Sequence, residues 1–90
     1  MSKHHTAKEK RKIGSLRKKL LETTKVCYLT GRIVGTNASL DHVIPLSKGG
    51  KTDLENCKIA CYAANQAKKD LSLEEFLKLC VDVLTYHGYV

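Results

Sequence analysis

The clearest periodicity lies near the C-terminus. Leu73, Phe76, Leu77, Cys80, Val81 and Leu84 recur at three- and four-residue spacing, and Glu74, Glu75, Lys78, Asp82 and Thr85 take the polar side. That is the pattern of an amphipathic helix. Ser72-Leu73-Glu74-Glu75 heads it as a capping box: the Ser72 hydroxyl can accept from the Glu75 amide, and the Glu75 side chain can reach back to the Ser72 amide. Gly88 is a suitable stop. Leu79, Val83 and Tyr86 widen the apolar face beyond one stripe. Two readings follow, burial in a homodimer or packing beneath the helix at the other end of the chain.

That other helix is predicted over residues 8–22. Ile13, Leu16, Leu20 and Leu21 form a narrow apolar stripe, while Lys10, Arg11, Lys12, Arg17, Lys18 and Lys19 project elsewhere. Gly14-Ser15 weakens its first half by about 1 kcal/mol. Residues 1–7 are polar and aperiodic, so no regular structure is expected there. His4 and His5 are too few to form a metal tract. Between the helices the pattern shortens. Val26 to Leu29 reads as a strand, Thr30-Gly31-Arg32 as a turn and Ile33-Val34 as the return strand. Ser39 to Ile44 is a second β-rich run, ended by Pro45. Residues 47–53 form a glycine-bearing loop, 56–60 a short strand, and 61–69 has helix-forming composition. The expectation is one α+β domain: a basic arm and helix over 1–25, a core over 26–70, and a packing helix over 71–90.

Charge adds a partner. Residues 1–25 hold nine Lys/Arg against two Glu, and residues 26–90 hold seven of each sign, so the whole formal charge of +7 sits in the arm. A block of this kind attracts a polyanion. No apolar run nears the roughly 18–20 residues of a membrane span, and no apolar segment follows the basic start as in a secretory signal. A cytoplasmic protein without membrane contact is expected. In that setting Cys27, Cys57, Cys61 and Cys80 stay reduced.

The chemistry is concentrated in Leu40-Asp41-His42-Val43-Ile44-Pro45-Leu46-Ser47-Lys48-Gly49-Gly50, followed by Asn56, Asn65 and Lys68. Cutting a phosphodiester needs an oxygen ligand for a hard cation and a base for water. This segment carries a carboxylate, an imidazole and two carboxamides. Fourteen positions separate His42 from Asn56 and nine separate Asn56 from Asn65. The stretch from about residue 26 to 70 resembles the HNH endonucleases of the ββα-metal fold, in an H-N-N version. The resemblance implies a ββα-metal core and the following roles. His42, Asn56 and Asn65 are the catalytic positions. His42 is the general base, and Asn56 braces the loop that carries it. Asp41 and Asn65 hold one Mg²⁺ or Mn²⁺. Lys68, and less strongly Lys69, contact phosphate.

The roles make physical sense. An ordinary imidazole, with pKa about 6.5, is mostly neutral near pH 7–8 and can take a proton from water. A carboxylate and a carboxamide oxygen suit Mg²⁺ or Mn²⁺. Asp41 and His42 alternate to opposite faces in a regular strand, so both can serve one phosphate only near a strand end.

Many HNH domains also carry a structural zinc between two Cys-x-x-Cys pairs. Here the pairs read Cys27-Tyr28-Leu29-Thr30 and Cys61-Tyr62-Ala63-Ala64, each without its second cysteine. Two thiolates do not make a tetrahedral zinc site, so no structural zinc is expected. Cys27, Thr30, Cys61 and Ala64 should pack together instead. The leading reading is a metal-dependent DNA endonuclease that nicks or cuts both strands. The alternatives are a non-catalytic DNA-binding module on the same fold, or an accessory subunit of a larger phage or restriction complex.

Overall fold

The computed structural model describes residues 6–90, so residues 1–5 of the polar N-terminal stretch, with His4 and His5, lie outside it. The order of elements is α1 (Ala7–Leu21), β1 (Ala38–His42), a 3₁₀ turn (Leu46–Lys48), β2 (Cys57–Cys61), α2 (Tyr62–Lys68) and α3 (Leu73–Tyr86). Thr6 caps α1 by accepting from the Glu9 amide at 3.0 Å. The helix then runs unbroken through Gly14 and Ser15.

β1 and β2 form a two-stranded antiparallel sheet with Ala38 opposite Cys61 and His42 opposite Cys57. α2 follows β2 directly, which completes a ββα unit within an α+β fold. The core is small and rich in cysteine and alanine. Cys27, Val34, Ala38, Ile59, Ala60, Cys61 and Ala64 are buried together, and Leu20 and Leu21 of α1 pack against them. α1 buries no residue fully, so its grip on the sheet rests on these partly covered leucines.

The predicted hairpin over 26–34 is looser than expected. Val26 and Ile33 form one isolated antiparallel bridge rather than two strands. Cys27 donates to the Arg32 carbonyl and Val34 to the Lys25 carbonyl, which are the bridge's own bonds. The ladder stops there because Gly31, at φ +77°, donates back to the Cys27 carbonyl in a tight turn and Tyr28 donates to Ile59 of β2, so neither amide is left for a next pair. Cys27 lies beside Thr30 and Cys61, and Cys27, Cys61 and Ala64 share the core as free, buried side chains. Burial alone would raise the Cys27 thiol pKa. Hydrogen bonds from the Thr30 hydroxyl and from backbone at Cys61, Thr30 and Leu29 outweigh burial and bring it down to about 7.

α3 begins with the capping box read from sequence, with bonds of 3.2 Å to the Ser72 hydroxyl and 2.8 Å to the Glu75 carboxylate. It ends before Gly88, which adopts φ +80°. Packing of α3 beneath α1 is not found: α3 buries no residue, and Leu77, Leu79, Val81, Val83 and Leu84 stay largely exposed. One ion pair, Lys48 with Glu75, ties α3 to the loop after β1.

Candidate active site

His42 is the last residue of β1, and Asp41 precedes it. Alternation sends their side chains to opposite sides. The Asp41 carboxylate turns inward and is 4% exposed, while the His42 ring lies half-buried toward the following loop. Strand pairing stops at His42, and an open cavity of about 610 Å³ lies at this end of the sheet. Asp41 and His42 both line it, as do Ser39 and Asn65. α1 contributes Lys10, Ile13 and Arg17 to the same lining, and Lys69 enters from the end of α2.

Asn65 sits half-buried on α2, facing β1. Its side-chain nitrogen donates to the Ser39 hydroxyl at 3.1 Å and to the Leu40 carbonyl at 3.4 Å. A backbone carbonyl can only accept, so the amide nitrogen must face the strand. Oδ1 is therefore turned away from it and is the end suited to a cation.

Asp41 is held more tightly than its sequence context suggests. The Lys68 ammonium is 3.3 Å from one carboxylate oxygen and 3.2 Å from the other, and it donates to the His42 carbonyl at 3.0 Å. The Tyr28 hydroxyl donates to the same carboxylate. Burial, and then the carboxylate beside it, push the Tyr28 phenol pKa far up, so the phenol stays a donor. Lys68 is 0% exposed. This corrects the expectation that its ammonium contacts a phosphate. α2 lies against β1, and a residue one turn after Asn65 still faces the strand, so the lysine runs inward to the one buried carboxylate. The next residue, Lys69, is exposed and lines the cavity. Its φ of +49° is the only positive value among the described non-glycine residues. Such a backbone costs on the order of 1–3 kcal/mol and tends to occur at functional sites. It also ends α2 and turns Lys69 away from its buried neighbour.

The loop that follows His42 is closed by Asn56. Its side-chain oxygen accepts from the Ile44 amide, and its nitrogen donates to the Ile44 and Lys51 carbonyls, all at 2.8–2.9 Å. Three bonds from one carboxamide fix where the chain turns after the histidine. Gly50 makes this closure possible, because a Cβ there would lie 1.7 Å from the Ile44 carbonyl oxygen and 2.8 Å from the Asn56 side-chain nitrogen. Gly50→Ala is expected to lower stability by about 3 kcal/mol, the upper end of overpacking costs. Gly49 meets no neighbour and differs only in its φ of +91°, so Gly49→Ala should cost about 1–2 kcal/mol. Thermal melts of the two variants check the order; equal shifts would contradict it.

Sequence reasoning missed three residues in this neighbourhood. Nothing local to Tyr28 marks it as the partner of Asp41. Thr52, 3% exposed, accepts or donates 2.8 Å from His42 Nε2 and also bonds the Glu9 carboxylate. Glu9 carries the one local signal, as the single acid within an otherwise basic α1.

A family model described as HNH endonuclease matches residues 25–71, just over half of the chain. The chain belongs to the HNH endonuclease family. No curated protein matches it. Membership implies a nuclease or DNA-binding function, and HNH nucleases in general depend on a metal. The donors here fit a hard cation in part. The Asp41 carboxylate and Asn65 Oδ1 belong to residues edging one cavity, and Mg²⁺ is often held by one carboxylate with waters and substrate phosphates completing its shell. Among the described residues no group of three or more His, Cys, Asp or Glu could hold a metal ion. Lys68 also offsets the charge of Asp41. The HNH core alone thus offers an incomplete, nearly neutral shell, one that phosphate oxygens would complete. No described helix is long and apolar enough to cross a membrane.

Proposed function

We propose that this HNH protein is a metal-dependent DNA endonuclease using one Mg²⁺ or Mn²⁺ and His42 as general base. The observation that carries the reading is that Asp41, His42 and Asn65 all line one open cavity, together with Lys10, Arg17 and Lys69. The three cations would seat the phosphate. The neutral His42 ring would take a proton from water as its oxygen bonds to phosphorus and the 3′ oxygen leaves. Asp41 and Asn65 would hold the cation, with Tyr28 and Lys68 fixing the carboxylate and Ser39 fixing the carboxamide. When bound, the cation supplies charge stabilisation to the phosphate and the leaving oxygen. Asn56 would keep His42 in place by closing its loop. A monomer with one such site would cut one strand at a time.

Incubating supercoiled plasmid with the protein tests this. Nicked circles should form with Mg²⁺ or Mn²⁺ and not with EDTA. A second reading, a DNA-binding module that does not cut, is favoured by one observation: Lys68 contacts both oxygens of Asp41. Duplex binding with no nicking under either metal would select it.

Seven cations of α1 are exposed: Lys8, Lys10, Arg11, Lys12, Arg17, Lys18 and Lys19. If about five of them meet phosphates, log affinity should fall against log salt with a slope of about −4 to −5. Binding titrations at several salt concentrations check this, and a slope near zero would remove the arm from the interface.

A further inference from the structure

α1 carries the basic face, yet its only acid points back into the core region. Glu9 reaches Thr52, and Thr52 reaches His42, although 43 residues separate the first pair in sequence. The direction of these bonds follows from donor chemistry. An ionised carboxylate only accepts, so the Thr52 hydroxyl must give its one proton to Glu9. The Thr52 oxygen can then only accept from His42, at 2.8 Å from Nε2. The proton of the neutral ring is thereby placed on Nε2 and the basic lone pair on Nδ1. Thr52 is 3% exposed, so water does not readily replace either bond.

We propose that Glu9 and Thr52 are positioning residues that hold His42 as its Nε2–H tautomer, so that the helix carrying the basic face also sets the histidine. The catalytic consequence rests on the nuclease reading; the tautomer does not. The relay transfers no proton. It selects which ring nitrogen is basic and fixes the plane of the ring; partners that orient metal-bound histidines in this way are commonly worth about tenfold to a hundredfold, and the same scale is expected for this base.

The test is ¹⁵N NMR of the His42 ring in the full chain, at a pH where the ring is neutral, paired with plasmid nicking rates. Wild type should show the Nε2–H form. Thr52→Ser keeps the hydroxyl and should keep both the tautomer and the rate. Thr52→Val should release the ring to a mixture and lower kcat about tenfold or more, with KM little changed. Glu9→Gln should also release it, because a carboxamide can donate to Thr52 and reverse both bonds. A wild-type ring in the Nδ1–H form overturns the proposal, and so does an unchanged tautomer in Thr52→Val. A wild type that never nicks DNA but shows the Nε2–H form, released in Thr52→Val, supports the relay and overturns the nuclease reading alone.

Discussion

Replacing His42 with alanine should slow DNA cleavage by about 10²–10⁴-fold, the usual contribution of a positioned general base. Duplex affinity should be unchanged, because the cations that line the cavity and the exposed face of α1 remain. The variant should also stay folded. His42 is half-buried, and its ring contributes one hydrogen bond to Thr52, worth about 1 kcal/mol. The two readouts therefore separate. Single-turnover nicking measures the chemical step, and a binding titration measures the phosphate contacts. A rate equal to wild type would remove His42 as the base, whatever the geometry around it.

Lys68→Met should be the most destabilising single change at this site. The substitution keeps an unbranched side chain of nearly the same length and removes its charge. The Asp41 carboxylate would then remain buried with the Tyr28 hydroxyl in place of a cation. Breaking a buried pair from one side costs about 3–5 kcal/mol. For a domain of this size each 1 kcal/mol lowers Tm by about 4–8 °C, so a loss of more than about 12 °C is expected. The companion change, Asp41→Asn with Lys68→Met, removes both charges and should recover most of the loss, since replacing a whole buried pair is often close to neutral. Denaturant titrations of the two single variants and the double variant measure the coupling. Additive losses would mean that the ammonium and the carboxylate act independently. Because Asp41 is also the proposed metal ligand, the double variant should regain stability without regaining cleavage.

Local signals in the sequence carried the elements, and long-range contacts were beyond them. The capping box at Ser72 is visible within a few residues, and the strands Ala38–His42 and Cys57–Cys61 fall on the predicted runs to within two residues although Ile59 is their one β-branched residue. Asp41, His42 and Asn65 stand out in the sequence by residue type and spacing, through resemblance to a family, and all three line one cavity. Lys68 was misplaced for a physical reason. Helical spacing puts it on the side of Asn65, but not whether that side meets solvent or the strand, and a lysine is ordinarily exposed. Glu9, Thr52 and His42 come from three separate elements, so no local pattern joins them. The segment 26–34 forms one bridge instead of a two-stranded hairpin, and β-rich composition does not show how many ladder bonds a tight turn leaves. For α3 the period gave the helix but not what covers it; Leu73, Phe76 and Cys80 are partly covered, and Leu77, Leu79, Val81, Val83 and Leu84 are left exposed.

If Asp41 and Asn65 together hold a divalent cation at a phosphate next to His42, Mn²⁺ should cause paramagnetic broadening in NMR spectra of the protein bound to a short, cleavage-resistant duplex. The Asn65 side-chain amide and the backbone amides of Asp41 and His42 should broaden first, at substoichiometric metal, and Asp41→Asn should remove the effect. Sharp Asn65 signals, with broadening centred instead on the exposed acids Glu74 and Glu75 of α3, would contradict that placement.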